Sequence, residues 1–309
     1  SSGGVNILIG GDAGKSLTSG SYNIAIGSGA LDASTVGDDN IAIGLNALGS
    51  LDTAGSDDGD SNIAIGTSAG MSATTMDGAV LIGHEAGKAI TTGDSNVFVG
   101  PYSGAATTTG TMNVGLGHRA LATNIDGDGS VAIGHEALRF LEPSDGHTNN
   151  TAVGFGAGKN TTTGTSNTTI GTQAGTNMTT GGNNAALGAN ALLLNNVGTD
   201  NVAVGQSSLS ANVDGSKSVA VGTSSLESQD PSGATDMYNV AIGQKAGQEV
   251  TTGIKNTVVG GLAGDAITTG SGNTALGYKA AFSAVGAANQ TVIGNGAAGH
   301  GDNIVTIGN

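Results

Sequence analysis

"NIAIGSGALDASTVGDDNIAIG", Asn23 to Gly44, opens and closes on the same five letters, the second copy starting 17 residues after the first. The glycines that close this five-residue unit recur along the whole chain, at Gly10, Gly27, Gly44, Gly66, Gly83, Gly100, Gly117, Gly134, Gly154, Gly171, Gly188, Gly205, Gly222, Gly243, Gly260, Gly277, Gly294 and Gly308. Most steps are 17 residues, and the exceptions are 22 to Gly66, 20 to Gly154, 21 to Gly243 and 14 at the end. The three long steps fall five repeats apart. With 57 glycines in 309 residues, 3% aromatics and a formal charge of -15, a low-complexity chain would be the ordinary reading. A disordered chain keeps no such register, so the repeat decides the fold.

Each place in the repeat has its own chemistry. The residue before the closing Gly is always aliphatic, and the residue two earlier is mostly Ile, Val or Thr. That alternation predicts a short β-strand whose core side is the row Ile26, Ile43, Ile65, Ile82, Val99, Ile133, Val204 and Ile242. Three residues after the Gly stands Ala or Ser. Ten after it, a second Gly recurs (Gly20, Gly37, Gly93, Gly110, Gly164, Gly181, Gly253, Gly270), and two Gly per repeat read as two corners in left-handed backbone. The fold class expected is all-β: a parallel β-solenoid of about 18 coils over residues 1–309, a single repeat domain with longer coils at 45–66, 135–154 and 223–243. At ~4.8 Å per coil such a rod is roughly 85 Å long. Asn four residues before the Gly (Asn23, Asn40, Asn62, Asn96, Asn113, Asn167, Asn201, Asn256) forms a structural ladder of stacked amides.

Composition and motifs exclude several functions. With 24 acidic against 9 basic residues there is no footprint for nucleic acid, and no apolar run approaches the ~20 residues of a membrane span. The absence of Cys removes thiolate chemistry. "GGDAGKS" (Gly10 to Ser16) has Ile9 where a phosphate-binding loop needs its first Gly. His118 and His135, each next to a closing Gly, fall on adjacent rungs about 5 Å apart, where solvated corner side chains are the plain reading and a shared metal the sharper one. Acidic turns such as "SDDGDS" (Ser56 to Ser61) leave calcium open as a bound ion, though the calcium β-roll nonapeptide is absent. Pairs such as Thr91-Thr92 point to opposite faces and make no flat ice-binding array. No paired carboxylates beside sugar-stacking aromatics stand out, so no enzyme and no cofactor is expected.

Two aliphatics per coil bury little against the entropy of ordering the backbone, and the strands are apolar on both faces. Association of identical chains, as a homotrimer, is therefore expected. "NIAIGSGAL", "SVAIGHEAL" and "NVAIGQKAG" resemble the repeats of YadA-like trimeric autotransporter adhesin heads, and more closely the "NTAIG-x-x-AL" arrays of bacteriophage tail fibres. The resemblance covers essentially the whole chain. It implies a left-handed, trimeric β-roll acting as a non-enzymatic fibre shaft or receptor-binding region, extracellular or on a virion. The 17-residue coil departs from the adhesin's shorter one. A cell-surface polysaccharide or protein receptor is the partner such a role implies, and the long coils, with Asp57, Asp58, Phe140, Glu142, Asp230 and Tyr238, are the candidate contact loops. The alternative is a self-assembling extracellular filament without a dedicated receptor.

Overall fold

A computed structural model describes residues 3–52, 59–143 and 146–308. The described residues are all-β without helix, wound as a parallel β-solenoid of about 17 coils. They divide into two compact units, Ser1–Val153 and Gly154–Asn309. Within the first, three-residue strands from Ile7–Ile9 to Thr151–Val153 pair in sequence order, all parallel, with Ile24 opposite Ile41 and Val97 opposite Val114. Within the second, the same holds from Thr168–Ile170 to Val305–Ile307. The long coils do not disturb this register: Ile41 pairs with Ile63 and Val219 with Val240 as if no residues had been added.

The strand faces are the reverse of the sequence expectation. In Ile24–Ile26, Ile41–Ile43 and Val97–Val99 the central residue is buried and the flanking pair is not. Ile26, Ile43, Ile82, Val99 and Val204 are half-buried, while Ile65, Ile133 and Ile242 are exposed, so none of the proposed core row lines the interior. The interior column is instead Ala25, Ala42, Ala64, Leu81, Phe98 and their equivalents, facing the small residues three past the closing Gly, such as Ala30, Ala47 and Ser103. The coil is too narrow to hold a β-branched side chain from every strand, so the small residue turns inward.

Volume within this narrow core is exchanged between two positions. Four residues past the closing Gly the chain carries either Leu (Leu31, Leu48, Leu121, Leu138, Leu192, Leu209, Leu226) or, in all but the last coils, Gly. Every such Leu shares its coil with Ala or Gly at the strand centre, whereas the large centres Leu8, Leu81, Phe98 and Val258 share theirs with Gly14, Gly87, Gly104 and Gly264. A Cβ on Gly104 would lie 2.4 Å from the Phe98 ring. These leucines sit at φ of 46–52°. Left-handed backbone costs about 1–2 kcal/mol, and full burial of a Leu side chain, worth about 1.5–3 kcal/mol, outweighs it.

The corners also differ from expectation. The closing glycines from Gly10 to Gly294 have φ of 126–140°, and a Cβ on Gly44 would stand 2.5 Å from the Gly66 carbonyl oxygen of the next coil. The second glycines are not left-handed. Gly93 is required because a Cβ there would meet the Gly110 carbonyl oxygen at 2.4 Å. Left-handed backbone is not confined to glycine: 35 non-glycine residues among those described have positive φ, chiefly two after the closing Gly (Glu85, Tyr102, Arg119) or five before it (Tyr22, Lys217, Tyr238).

Candidate binding surface

The Ile and Val rows turned outward form the surface with the least ordinary chemistry. From Ile7 to Val131 every residue that opens a strand of the first unit is Ile or Val, and the residue closing each of those strands is Ile, Val or Leu. Several closing residues are exposed, Ile65 and Ile133 at 36% in the first unit and Ile242 at 42% and Leu276 at 46% in the second. In the second unit the opening position is more polar, with Thr168, Thr257, Thr274 and Thr291. A flat parallel face of β-branched side chains is ordinarily covered.

Beside it runs the asparagine column, and here the sequence placed the residues correctly. Asn23, Asn40, Asn62, Asn96, Asn113, Asn167, Asn201 and Asn256 are all at most 2% exposed. Their bonding is mainly to backbone rather than from amide to amide. Asn23 Oδ1 accepts the Asn40 N–H at 3.0 Å and its Nδ2 donates to the Gly37 carbonyl at 2.7 Å; Asn256 repeats this with Asn273 N–H and Gly270. Direct amide contacts occur at some rungs, as from Asn62 to Asn40 at 3.1 Å and from Asn273 to Asn256 at 3.0 Å. Asn150, Asn184 and Asn239 belong to the same column and were missed, although the four-residue spacing marks them.

Breaks in the column are repaired locally. At Ser130 the hydroxyl accepts the Asn150 N–H at 3.2 Å. At Ser218 a second buried ladder takes over: Asn212 donates to Asn195 and Gln229 to Asn212, both at 3.1 Å, and Gln229 Oε1 then accepts from Ser218 and Asn239. This second ladder lies seven residues past the closing Gly, a place that most other coils give to an apolar residue such as Leu51, Ile90, Met178 or Val250, so that the sequence shows no continuous polar row there. Asn23, Asn256, Asn195 and Asn212 satisfy buried backbone groups and Gln229 joins buried side chains, which is a structural task.

Of the proposed contact-loop residues, Asp57 and Asp58 lie outside the described residues. Phe140 is half-buried beneath Arg139, whose guanidinium stands 4.7 Å from the ring centre and also pairs with Glu136. Glu142 and Asp230 are exposed. Tyr238 is exposed in a polar cluster: Lys217 Nζ donates to Asp236 at 2.7 Å, and the Tyr238 hydroxyl donates to the same carboxylate at 3.2 Å. The Lys217 hydrogen bond holds the Asp236 carboxyl below its ordinary value, and that contact raises Lys217. The long coil here adds a two-residue parallel pairing, Gly215–Ser216 with Thr235–Asp236.

The first unit carries a column of carboxylates where the sequence offers acidic turns open to calcium. Asp38, Asp60, Asp77 and Asp94 each accept a backbone N–H from the preceding coil, at 2.6, 2.7, 2.8 and 2.9 Å. Burial raises the Asp60 carboxyl above its ordinary value, the hydrogen bond from Asp38 opposes this, and the charges of Asp38, Asp77 and Asp39 add to the rise. Among the described residues no three His, Cys, Asp or Glu side chains converge as a metal cage.

The remaining motifs serve the coil. In "GGDAGKS" the N–H groups of Gly14 and Ser16 donate to Ala30 and Asp32 of the next coil, and Lys15 pairs with Asp32 at 3.2 Å. Threonine hydroxyls such as Thr91 donate to the Thr108 carbonyl. A small groove of about 220 Å³ lies where the Leu-or-Gly rule lapses at Ala281, lined by Ile267, Phe282 and Val285. His84, Tyr102, His118 and His135 form a row of rings on four successive coils, with centres 5.2, 6.0 and 5.2 Å apart. No described helix is long and apolar enough to cross a membrane. In comparison with known proteins, the chain matches no protein-family model and no curated sequence.

Proposed function

We propose that this chain is a non-enzymatic subunit of an extracellular or virion-borne fibre, a shaft or receptor-binding region built from three parallel copies of itself. The observation that carries the reading is the outward Ile and Val face, repeated in constant register from coil to coil. A surface periodic at one coil per rung is matched along its length by a partner with the same period, and a further copy of this chain has it. Each half-buried Ile or Val removed from water contributes about 1 kcal/mol, so the sum over successive rungs exceeds the entropic cost of association. The loops bearing Phe140, Glu142, Asp230 and Tyr238 interrupt the regular surface and are the places for a polysaccharide or protein receptor.

The test is the oligomeric state. Sedimentation equilibrium of the purified chain is expected to give three chains per particle. Ile82→Lys and Val99→Lys, on the outward row, are expected to give single chains with an unaltered far-ultraviolet circular dichroism spectrum, since neither side chain belongs to the interior. A native chain that stays monomeric at every concentration overturns the proposal.

A further inference from the structure

The row of rings at the corner of the first unit holds one pair unlike the rest. His118 and His135, each following a closing Gly, are stacked with centres 5.2 Å apart and planes 22° from parallel. Tyr102 separates His84 from His118 and meets both edge-on, at 68° and 89°. His147 lies 3.8 Å from Asp128, and His300 contacts Thr306. His118 and His135 thus occupy equivalent places on adjacent rungs, one repeat apart.

We infer that His118 and His135 form a bidentate site for one borderline divalent transition-metal ion, of the class Cu²⁺, Zn²⁺ or Ni²⁺. Imidazole nitrogen is the donor these ions favour, whereas the carboxylate columns elsewhere suit harder ions. Nitrogens bound to one ion at about 2.0–2.1 Å lie no more than about 4.2 Å apart. Ring centres 5.2 Å apart permit this once the imidazoles turn from face-to-face toward edge-to-edge about their Cβ–Cγ bonds. The backbones are already fixed, because the Glu136 N–H donates to the His118 carbonyl at 3.0 Å between the two coils. The ion would complete its shell with water, since His135 faces solvent. The charged groups around the row are Glu85 with Lys88, Glu136 with Arg139, and Arg119 beside Tyr102. In each of the first two pairs the cation offsets the carboxylate, so the carboxylates do not define a cage of their own.

The test is titration of the full chain with Cu²⁺, followed by isothermal calorimetry and by electron paramagnetic resonance. The expected result is one ion per chain, with nitrogen couplings of two imidazoles. H118F and H135F keep a ring at each rung and remove the nitrogens, and each is expected to weaken binding at least tenfold. The triple variant H84F/H147F/H300F is expected to bind as the native chain does. Circular dichroism checks that every variant is folded, and H118Q and H135Q replace any phenylalanine variant that is not. Native affinity in the variants at 118 or 135, a single-imidazole spectrum, or loss of binding in the triple variant each overturns the assignment.

Discussion

Asn256→Ala and Asn201→Ala remove the same side chain from the same column and are expected to differ in cost. At Asn256, Oδ1 accepts the Asn273 N–H at 3.0 Å and Nδ2 is the side-chain donor to the Gly270 carbonyl at 2.8 Å. Truncation leaves both buried groups without that partner. At about 1–3 kcal/mol for each stranded group, the loss is about 2–6 kcal/mol. At Asn201 the Ser218 N–H is stranded in the same way, but the Gly215 carbonyl keeps a second donor, Asn212 Nδ2, at 2.8 Å. The loss there is about 1–3 kcal/mol. Native-state hydrogen exchange at the neighbouring strand amides, Thr274 and Val219, reads the difference. With tenfold per 1.4 kcal/mol, protection is expected to fall about thirtyfold or more in Asn256→Ala and about fivefold or more, but always by less than in Asn256→Ala, in Asn201→Ala. Equal losses in the two variants, or a change below twofold in Asn256→Ala, would refute the view that the column acts by satisfying buried backbone.

Three further outcomes follow from the interior and the charges. Gly104→Leu puts a side chain into the Phe98 ring and is expected to destabilise strongly, while Gly104→Leu combined with Phe98→Ala recreates the Leu-with-Ala coil and recovers more than half of the loss in thermal melts. Asp60, whose folded-state pKa is raised, binds its proton more tightly when folded; its contribution is fully present below the unfolded value and lost as pH rises through the folded one. Asp60→Asn keeps an acceptor for the Asp38 N–H, and is expected to raise the melting temperature at neutral pH and to flatten its rise on acidification. Lys217→Met is expected to return the depressed Asp236 carboxyl toward the ordinary range, as read by carbon-13 NMR titration.

How much of this was legible in the letters depends on which physical quantity they encode. Spacing fixes register, so the pairing of Ile24 with Ile41 and of Val219 with Val240 follows from counting alone. Facing does not, because Ile-Ala-Ile is apolar on both sides; which side turns inward depends on how wide the coil is, a property of the closed loop rather than of any strand. The same gap explains the glycines. Gly93 is glycine because a carbonyl oxygen of the next coil passes close by, and no local turn signal reports a neighbour one repeat away. The asparagine column was readable since a polar residue at constant spacing beside an aliphatic strand has few other tasks. The Asn195–Asn212–Gln229 ladder was hidden by the apolar residues that share its place in other coils.

The division between Ala-lined interior and Ile-lined exterior has a consequence for how such a chain can change. Side chains that close the coil and side chains that meet the outside alternate along the same three-residue strand, yet contact different things. Substitution can therefore remake the outward surface while leaving the winding of each turn untouched, and a sequence drifting in one set places no demand on the other.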